Sequence, residues 1–156
     1  MTFRADLPFT TRAAVIDRFA QLVDPENDVI ACNAVIKALN SHSDLRRRFF
    51  SRRPSPGWVK VLWGAGFFDS PPSPVANKLG TYLPSWDAQD YLVAVAKEVP
   101  EFVRKHVQQL KAEAVYHRRA LEALIELPTA ECDAVMPVVL SWFTDLPRAT
   151  TLCWQA

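Results

Sequence analysis

The densest charge in the sequence is Arg46-Arg47-Arg48-Phe49-Phe50-Ser51-Arg52-Arg53, five guanidinium groups interrupted by two aromatic rings. On a helix this run sets arginines around a turn, where each can neutralise a phosphate while Phe50 stacks on a base. Arg46, Arg47, Arg48, Phe50, Arg52 and Arg53 are therefore the candidate binding residues, and nucleic acid is one candidate partner. The opposing and preferred reading is a solvated helix end. Its arginines favour the C-terminal dipole and pair with neighbouring acids, and Phe49 turns inward. A second basic group, Arg104, Lys105, Lys111, His117, Arg118 and Arg119, is interleaved with Glu101, Glu113 and Glu122 and reads as an ordinary solvated face. If both groups fell on one concave surface, the nucleic-acid reading would gain.

Other chemistries find less to work with. Nucleotide hydrolysis needs a glycine-rich loop followed by Lys and Ser or Thr, and no such segment is present. The close glycine pair Gly64-Ala65-Gly66, followed by Phe67-Phe68, reads instead as a helix end closed by a left-handed glycine. His42, His106 and His117 are isolated and form no metal-ligand spacing. His106 lies in an apolar stripe, the position of a core histidine satisfied by a hydrogen bond. Cys32, Cys132 and Cys153 are widely spaced, make no CxxC pair and read as reduced packing residues. The expectation is a chain with no catalytic residues, no metal and no cofactor. An enzyme site assembled in space would need His106 or His117 beside Cys132 in a pocket.

These residues sit in a chain of 156, long enough to bury one core without disulfides or metal. With 18 basic and 17 acidic residues, the summed field draws neither nucleic acid nor anionic membrane, so any such binding must be local. The opening Met1-Thr2-Phe3-Arg4-Ala5-Asp6 has no apolar leader pattern, and no uncharged apolar run reaches about 18 residues. The chain is expected to be cytoplasmic, with no membrane partner.

The elements that must position these side chains are helices. Four glycines are too few for a hairpin-rich sheet protein, and twelve prolines supply helix starts. Thr10 or Thr11 is expected to cap a first helix to about Val23, burying Val15, Phe19 and Leu22. Asp24-Pro25-Glu26 reads as cap, first residue and first-turn acid of a second, with Val29, Cys32, Val35, Ile36 and Leu39 on one face. Ser41 or Ser43 opens a third through Leu45 and Phe49, and Pro56 a fourth to Gly66. Residues 67–85, with Ser70-Pro71-Pro72-Ser73-Pro74, read as a structured loop whose aromatics fold back onto the helices. Ser85 is expected to cap a helix through Leu92 to Val99, and Pro100 to start one carrying Phe102, Val103, His106, Val107 and Leu110. A further helix carries Ala114, Leu121, Leu124 and Ile125. The last begins near Thr129 with Val135, Met136, Val139, Leu140 and Phe143, kinked or delayed by Pro137.

Glu98-Val99-Pro100, Glu126-Leu127-Pro128 and Asp145-Leu146-Pro147 repeat an acid–aliphatic–proline joint at unequal intervals. This degenerate repetition predicts an all-α fold of stacked antiparallel helix pairs, a HEAT-like or armadillo-like superhelical array, with an irregular helical bundle as the alternative. Residues 1–156 are expected to form a single helical-repeat domain. The start of another helix after Pro147, with Leu152 and Trp154, reads either as continuation in a longer protein or as a tail whose Trp154 folds back onto the final hairpin.

The strongest pattern is the tryptophan-led segment Trp58 to Pro72, containing Trp63, Gly66-Phe67-Phe68 and the prolines, followed by Tyr82-Leu83-Pro84-Ser85-Trp86 and Tyr91-Leu92. Over roughly residues 44 to 145 it resembles HEAT-like or armadillo-like helical regions of large bacterial multidomain proteins, some of ATPase or defence type. That resemblance implies a structural module in which Trp58, Trp63, Phe67, Phe68 and Trp86 are framework residues, and it transfers no catalytic residue. The expected function is a non-catalytic interaction, scaffold or regulatory module whose partner is another protein or a neighbouring domain. The alternative is nucleic-acid binding through Arg46 to Arg53.

Overall fold

Proline and aspartate decide where this chain turns, and the first helices show how. In the computed structural model, which describes residues 8–78, 80–111 and 114–144, α1 runs Phe9–Leu22. Pro8 stands at its N-cap and its carbonyl accepts from the Thr11 and Arg12 amides at 3.1 Å, so the threonines expected as caps lie inside the first turn. The Asp24-Pro25-Glu26 triplet likewise precedes its helix instead of starting it. The Asp24 carboxylate accepts from the Glu26 amide at 3.0 Å and from Asn27 Nδ2 at 2.6 Å, a side-chain turn that competes with helix formation. The cap of α2 (Val29–Ser41) passes to Asp28, which accepts from the Ala31 amide at 2.9 Å.

Helix α3 spans Ser43–Ser51 and α4 spans Trp58–Gly64. The end of α4 has the expected left-handed glycine. Gly66 has φ +80°, the Phe67 amide donates to Leu62 O at 3.2 Å and the Gly66 amide to Trp63 O at 3.0 Å, a Schellman closure. The loop after it is not wholly irregular. Val75–Asn77 (β1) pairs antiparallel with Gly80–Tyr82 (β2), Val75 opposite Tyr82 and Asn77 opposite Gly80. This hairpin corrects the purely helical expectation. Gly80, at φ +133°, supplies a backbone conformation that only glycine adopts easily.

Helix α5 (Asp87–Ala94) starts after Trp86, with the Ser85 hydroxyl donating to Asp87 Oδ1 at 3.1 Å instead of capping an amide. It stops short of Val99, because a 3₁₀ turn, Ala96–Glu98, intervenes. Pro100 then opens α6 (Pro100–Gln109) at the position its missing N–H favours. Helices α7 (Ala114–Leu124) and α8 (Thr129–Thr144) follow, and α8 starts without delay and runs through Pro137. The repeated joint is used in two registers: Pro100 is inside its helix, whereas Pro128 precedes Thr129 and its carbonyl accepts from Glu131 and Cys132. Asp145-Leu146-Pro147, Cys153, Leu152 and Trp154 lie outside the described residues.

Packing runs between next-but-one helices. Helix α1 lies on α3, α3 on α5 and α5 on α7, while α6 lies on α8. Helix α1 buries Ala13, Ile16 and Ala20, one residue from the expected stripe, leaving Leu22 exposed. Its small residues let the two backbones approach closely. Similarly α7 turns Tyr116, Ala120 and Ala123 inward and leaves Ile125 in solvent, and α8 buries Val135 and Val139 but exposes Met136, Leu140 and Phe143.

Aromatic rings join these layers. Phe49 meets Trp58 edge-on at 5.2 Å, Phe50 meets Phe67 at 5.9 Å and Tyr91 at 5.7 Å, and Trp63 stacks on Phe68 at 5.3 Å and touches Phe102 at 5.5 Å. Such pairs add about 0.5–1.5 kcal/mol each beyond their buried area. Three hydrogen bonds hold the connections in place: Trp86 Nε1 to Phe67 O at 3.1 Å closes the two ends of the proline loop, Tyr116 OH on α7 to Pro84 O at 2.9 Å ties the loop's end to a helix, and Tyr91 OH on α5 to Ser55 O at 2.7 Å fixes the α3–α4 connection. The loop thus folds back as its aromatics predicted, although Tyr82 stays half exposed. No helix among the described residues is long and apolar enough to cross a membrane.

Candidate functional site

Helical geometry splits the arginine-rich segment in two. Positions 48 and 52 are one turn apart and share one side of α3. Arg48 Nε donates to Asp17 Oδ1 at 2.9 Å and its terminal nitrogen to Oδ2 at 2.6 Å, while Arg52 lies 3.1 Å from Oδ2. The hydrogen bonds from Arg48, opposed by partial burial and reinforced by Arg52, hold the Asp17 carboxyl below its usual range. This cluster ties α3 to α1, so two of the candidate arginines are engaged structurally.

Arg46, Arg47 and Arg53 fall elsewhere, and among the described residues none of them forms an ion pair. Arg53 ends α3 in the left-handed region, at φ 49°, with its amide donating to Phe50 O at 3.0 Å. Phe49 is fully buried and Phe50 only 4% exposed. Engaged with Phe49, Phe67 and Tyr91, the Phe50 ring offers an edge rather than a free face.

Arg46 and Arg47 form one wall of a cleft of about 630 Å³. The same cleft is lined by Pro71, Pro72 and Tyr82 from the loop and hairpin and by Ser85 and Asp87 at the start of α5. Past Arg47 and Asp87 a second depression of about 270 Å³ takes in Arg53, Asp90 and Arg119. A third, about 450 Å³, shares Asp90 and Arg119 with it and Pro84 to Trp86 with the first. The three make one surface along α3, α5 and α7. Trp58, Trp63, Phe67, Phe68 and Trp86 serve as the framework behind it, with Phe67 and Trp86 also reaching the cleft floor.

The second basic group divides similarly. Arg104 pairs with Glu131 at 3.0 Å and the Lys105 ammonium sits 4.9 Å from the Phe102 ring centre. Arg119 reaches the cleft surface but is held by Asp90 at 2.8 Å and by Glu122, which also lies 3.7 Å from Arg118. The two basic groups therefore meet only at Arg119 and Arg118, where acids already compensate them.

The histidines and cysteines are drawn into packing. His106 Nε2 lies 3.1 Å from Gln89 Nε2, which also donates to Tyr116 O at 2.9 Å. Burial pushes the imidazole down to about 4, so the neutral ring accepts from the Gln89 amide, the hydrogen-bonded core histidine expected from the sequence. His117 stacks flat on Trp142 at 4.3 Å, and Cys132 Sγ donates to Leu124 O at 3.2 Å. Burial, with Asp28 and Asp24 nearby, pushes the Cys32 thiol up, away from nucleophilic character. None of the three depressions is lined by His106, His117 or Cys132. Among the described residues no group of three His, Cys, Asp or Glu side chains is placed to hold a metal ion.

Of the candidate binding residues, Arg46, Arg47 and Phe50 line the cleft and Arg53 the second depression; Asn40, Ser43, Ser70, Tyr82, Ser85 and Asp87 also line the cleft and were not candidates. The signal available was the helical spacing that separates Arg48 and Arg52 from the rest. Asp17, 31 residues from Arg48, carried none. No protein-family model, no curated protein and no solved structure matches this chain.

Proposed function

We propose that this chain is a non-catalytic interaction module of helical-repeat type, and that a partner protein or neighbouring domain docks on the α3–α5–α7 face. The supporting observation is the cleft beside Arg46 and Arg47. It combines guanidinium groups that form no ion pair among the described residues, several hydroxyls and a proline-lined side on a framework of buried rings. Recognition surfaces favour arginine and aromatic residues of this kind. The α1–α3, α3–α5, α5–α7 and α6–α8 contacts support a stacked, HEAT-like reading on that side of the molecule, since in a stack each helix lies on its counterpart in the adjacent pair, while α2 packs on its sequence neighbour α3 as an irregular bundle would have it. The nucleic-acid reading is weaker, since Asp17 occupies Arg48 and Arg52 and the Phe50 ring is enclosed.

Site-specific photo-cross-linking tests the reading in cells. A benzophenone side chain placed at Ser73, on the cleft lip, is expected to give a discrete adduct with one protein, identified by mass spectrometry. Lys60 and Glu101, which lie outside the cleft, serve as controls. Equal labelling from all three positions, or a nucleic-acid adduct from Ser73, contradicts the proposal.

A further inference from the structure

Charge along the α3–α5–α7 face is not uniform, and this selects among partners. Arg46 and Arg47 line the first cleft together with one carboxylate, Asp87; the second depression adds Arg53 and Asp90, and the third holds Asp90 and Glu122. A nucleic-acid strand carries a charge at every phosphate, so one laid along this face would meet carboxylates as well as arginines. Its bases would also need exposed ring faces. Phe50, Phe67 and Trp86 are all buried, which leaves Tyr82, 51% exposed, as the accessible ring of the first cleft.

A peptide meets these constraints better. It places acids at chosen positions and leaves the rest of its length uncharged. Its backbone can bond to the Ser43, Ser70 and Ser73 hydroxyls and the Asn40 side chain, all exposed around the cleft. Pro71 and Pro72 offer no backbone donors, so their wall suits apolar side chains. The guanidinium fork matches a carboxylate in a way that an ammonium does not.

We infer that the cleft receives an extended acidic segment of a partner protein, with carboxylates on Arg46 and Arg47 and an adjacent apolar side chain between Tyr82 and the Pro71-Pro72 wall. This inference rests on the cleft being the partner-docking face, and its test separates the two. The whole chain is used to select from a displayed library of random dodecapeptides. Enriched sequences are expected to hold two or more acidic residues beside an aliphatic or aromatic one. R46A/R47A should weaken the best synthetic peptide about tenfold or more, R46K/R47K should restore only part of that, and K60E should change it less than about twofold.

Thermal melts of each variant establish that it is folded. Basic or uncharged winners that still require Arg46 and Arg47 would overturn the acidic assignment while leaving the docking face intact. Winners indifferent to R46A/R47A, or no enrichment at all, would overturn both the acidic assignment and peptide recognition by the cleft. Binding of oligothymidylate tighter than that of any peptide, and lost in R46A/R47A, would overturn the inference in favour of nucleic acid.

Discussion

At the scale of single residues, His106 makes the fold acid-sensitive. Its folded value of about 4 lies below the ordinary 6.5, so between those pH values the unfolded chain binds the extra proton. Its contribution to stability is complete above about 6.5 and is lost as pH falls toward 4, up to about 3 kcal/mol. Urea unfolding at pH 7, 5.5 and 4.5, pH values spanning this window at about one-unit spacing, should show a steeper decline in the natural protein than in His106→Gln. Parallel declines would contradict the assignment. The two buried tryptophans offer a second contrast. Trp86 Nε1 donates to Phe67 O, whereas Trp58 Nε1 is buried without an acceptor. Trp86→Phe should therefore cost about 1 kcal/mol more than Trp58→Phe, because only the first leaves a buried carbonyl unpaired. Equal losses in chemical denaturation would argue against the Trp86 hydrogen bond. His106 was legible as a core residue from its apolar stripe. Gln89, its partner on another helix, was not, because local spacing says nothing about which helices meet.

At the scale of elements, α3 divides a run of like charges, Arg48 and Arg52 being tied to Asp17 while Arg46 and Arg47 line the cleft. Asp17→Ala should loosen α3 from α1 and cost about 1 kcal/mol of stability, the partial exposure of the pair keeping the loss modest. Urea unfolding measures this, and an unchanged midpoint would contradict a structural role for the Asp17 cluster. The end of the same helix stores backbone strain. Replacing Arg53, at φ 49°, with glycine should stabilise the fold by about 0.5–1 kcal/mol, read as a raised denaturation midpoint. Most helices were legible from proline, caps and 3.6-residue spacing, Pro100 most directly. The stripe of α1 was misplaced by one residue because its buried face includes two small alanines, Ala13 and Ala20, which hydrophobic spacing undervalues. The β1–β2 hairpin was invisible for a related reason: its three-residue strands are wholly exposed and show no alternation to read.

At the scale of the whole molecule, the proposed docking depends on the aromatic framework. Phe50 on α3 meets Phe67 at the start of the loop, Trp63 on α4 stacks on Phe68 and touches Phe102 on α6, and the cleft opens beside Phe50 and Phe67. The sequence announced the arginines and the proline loop, but not that they line one cleft, since Arg47 and Pro71 are 24 positions apart and come together only on folding. The most direct measurement is a backbone amide NMR titration of the whole chain with the tightest dodecapeptide from selection. Shifts confined to Ser43–Arg53, Gly66–Ser73 and Tyr82–Asp90 are predicted. Shifts centred instead on α6 and α8 would contradict the placement of the docking face.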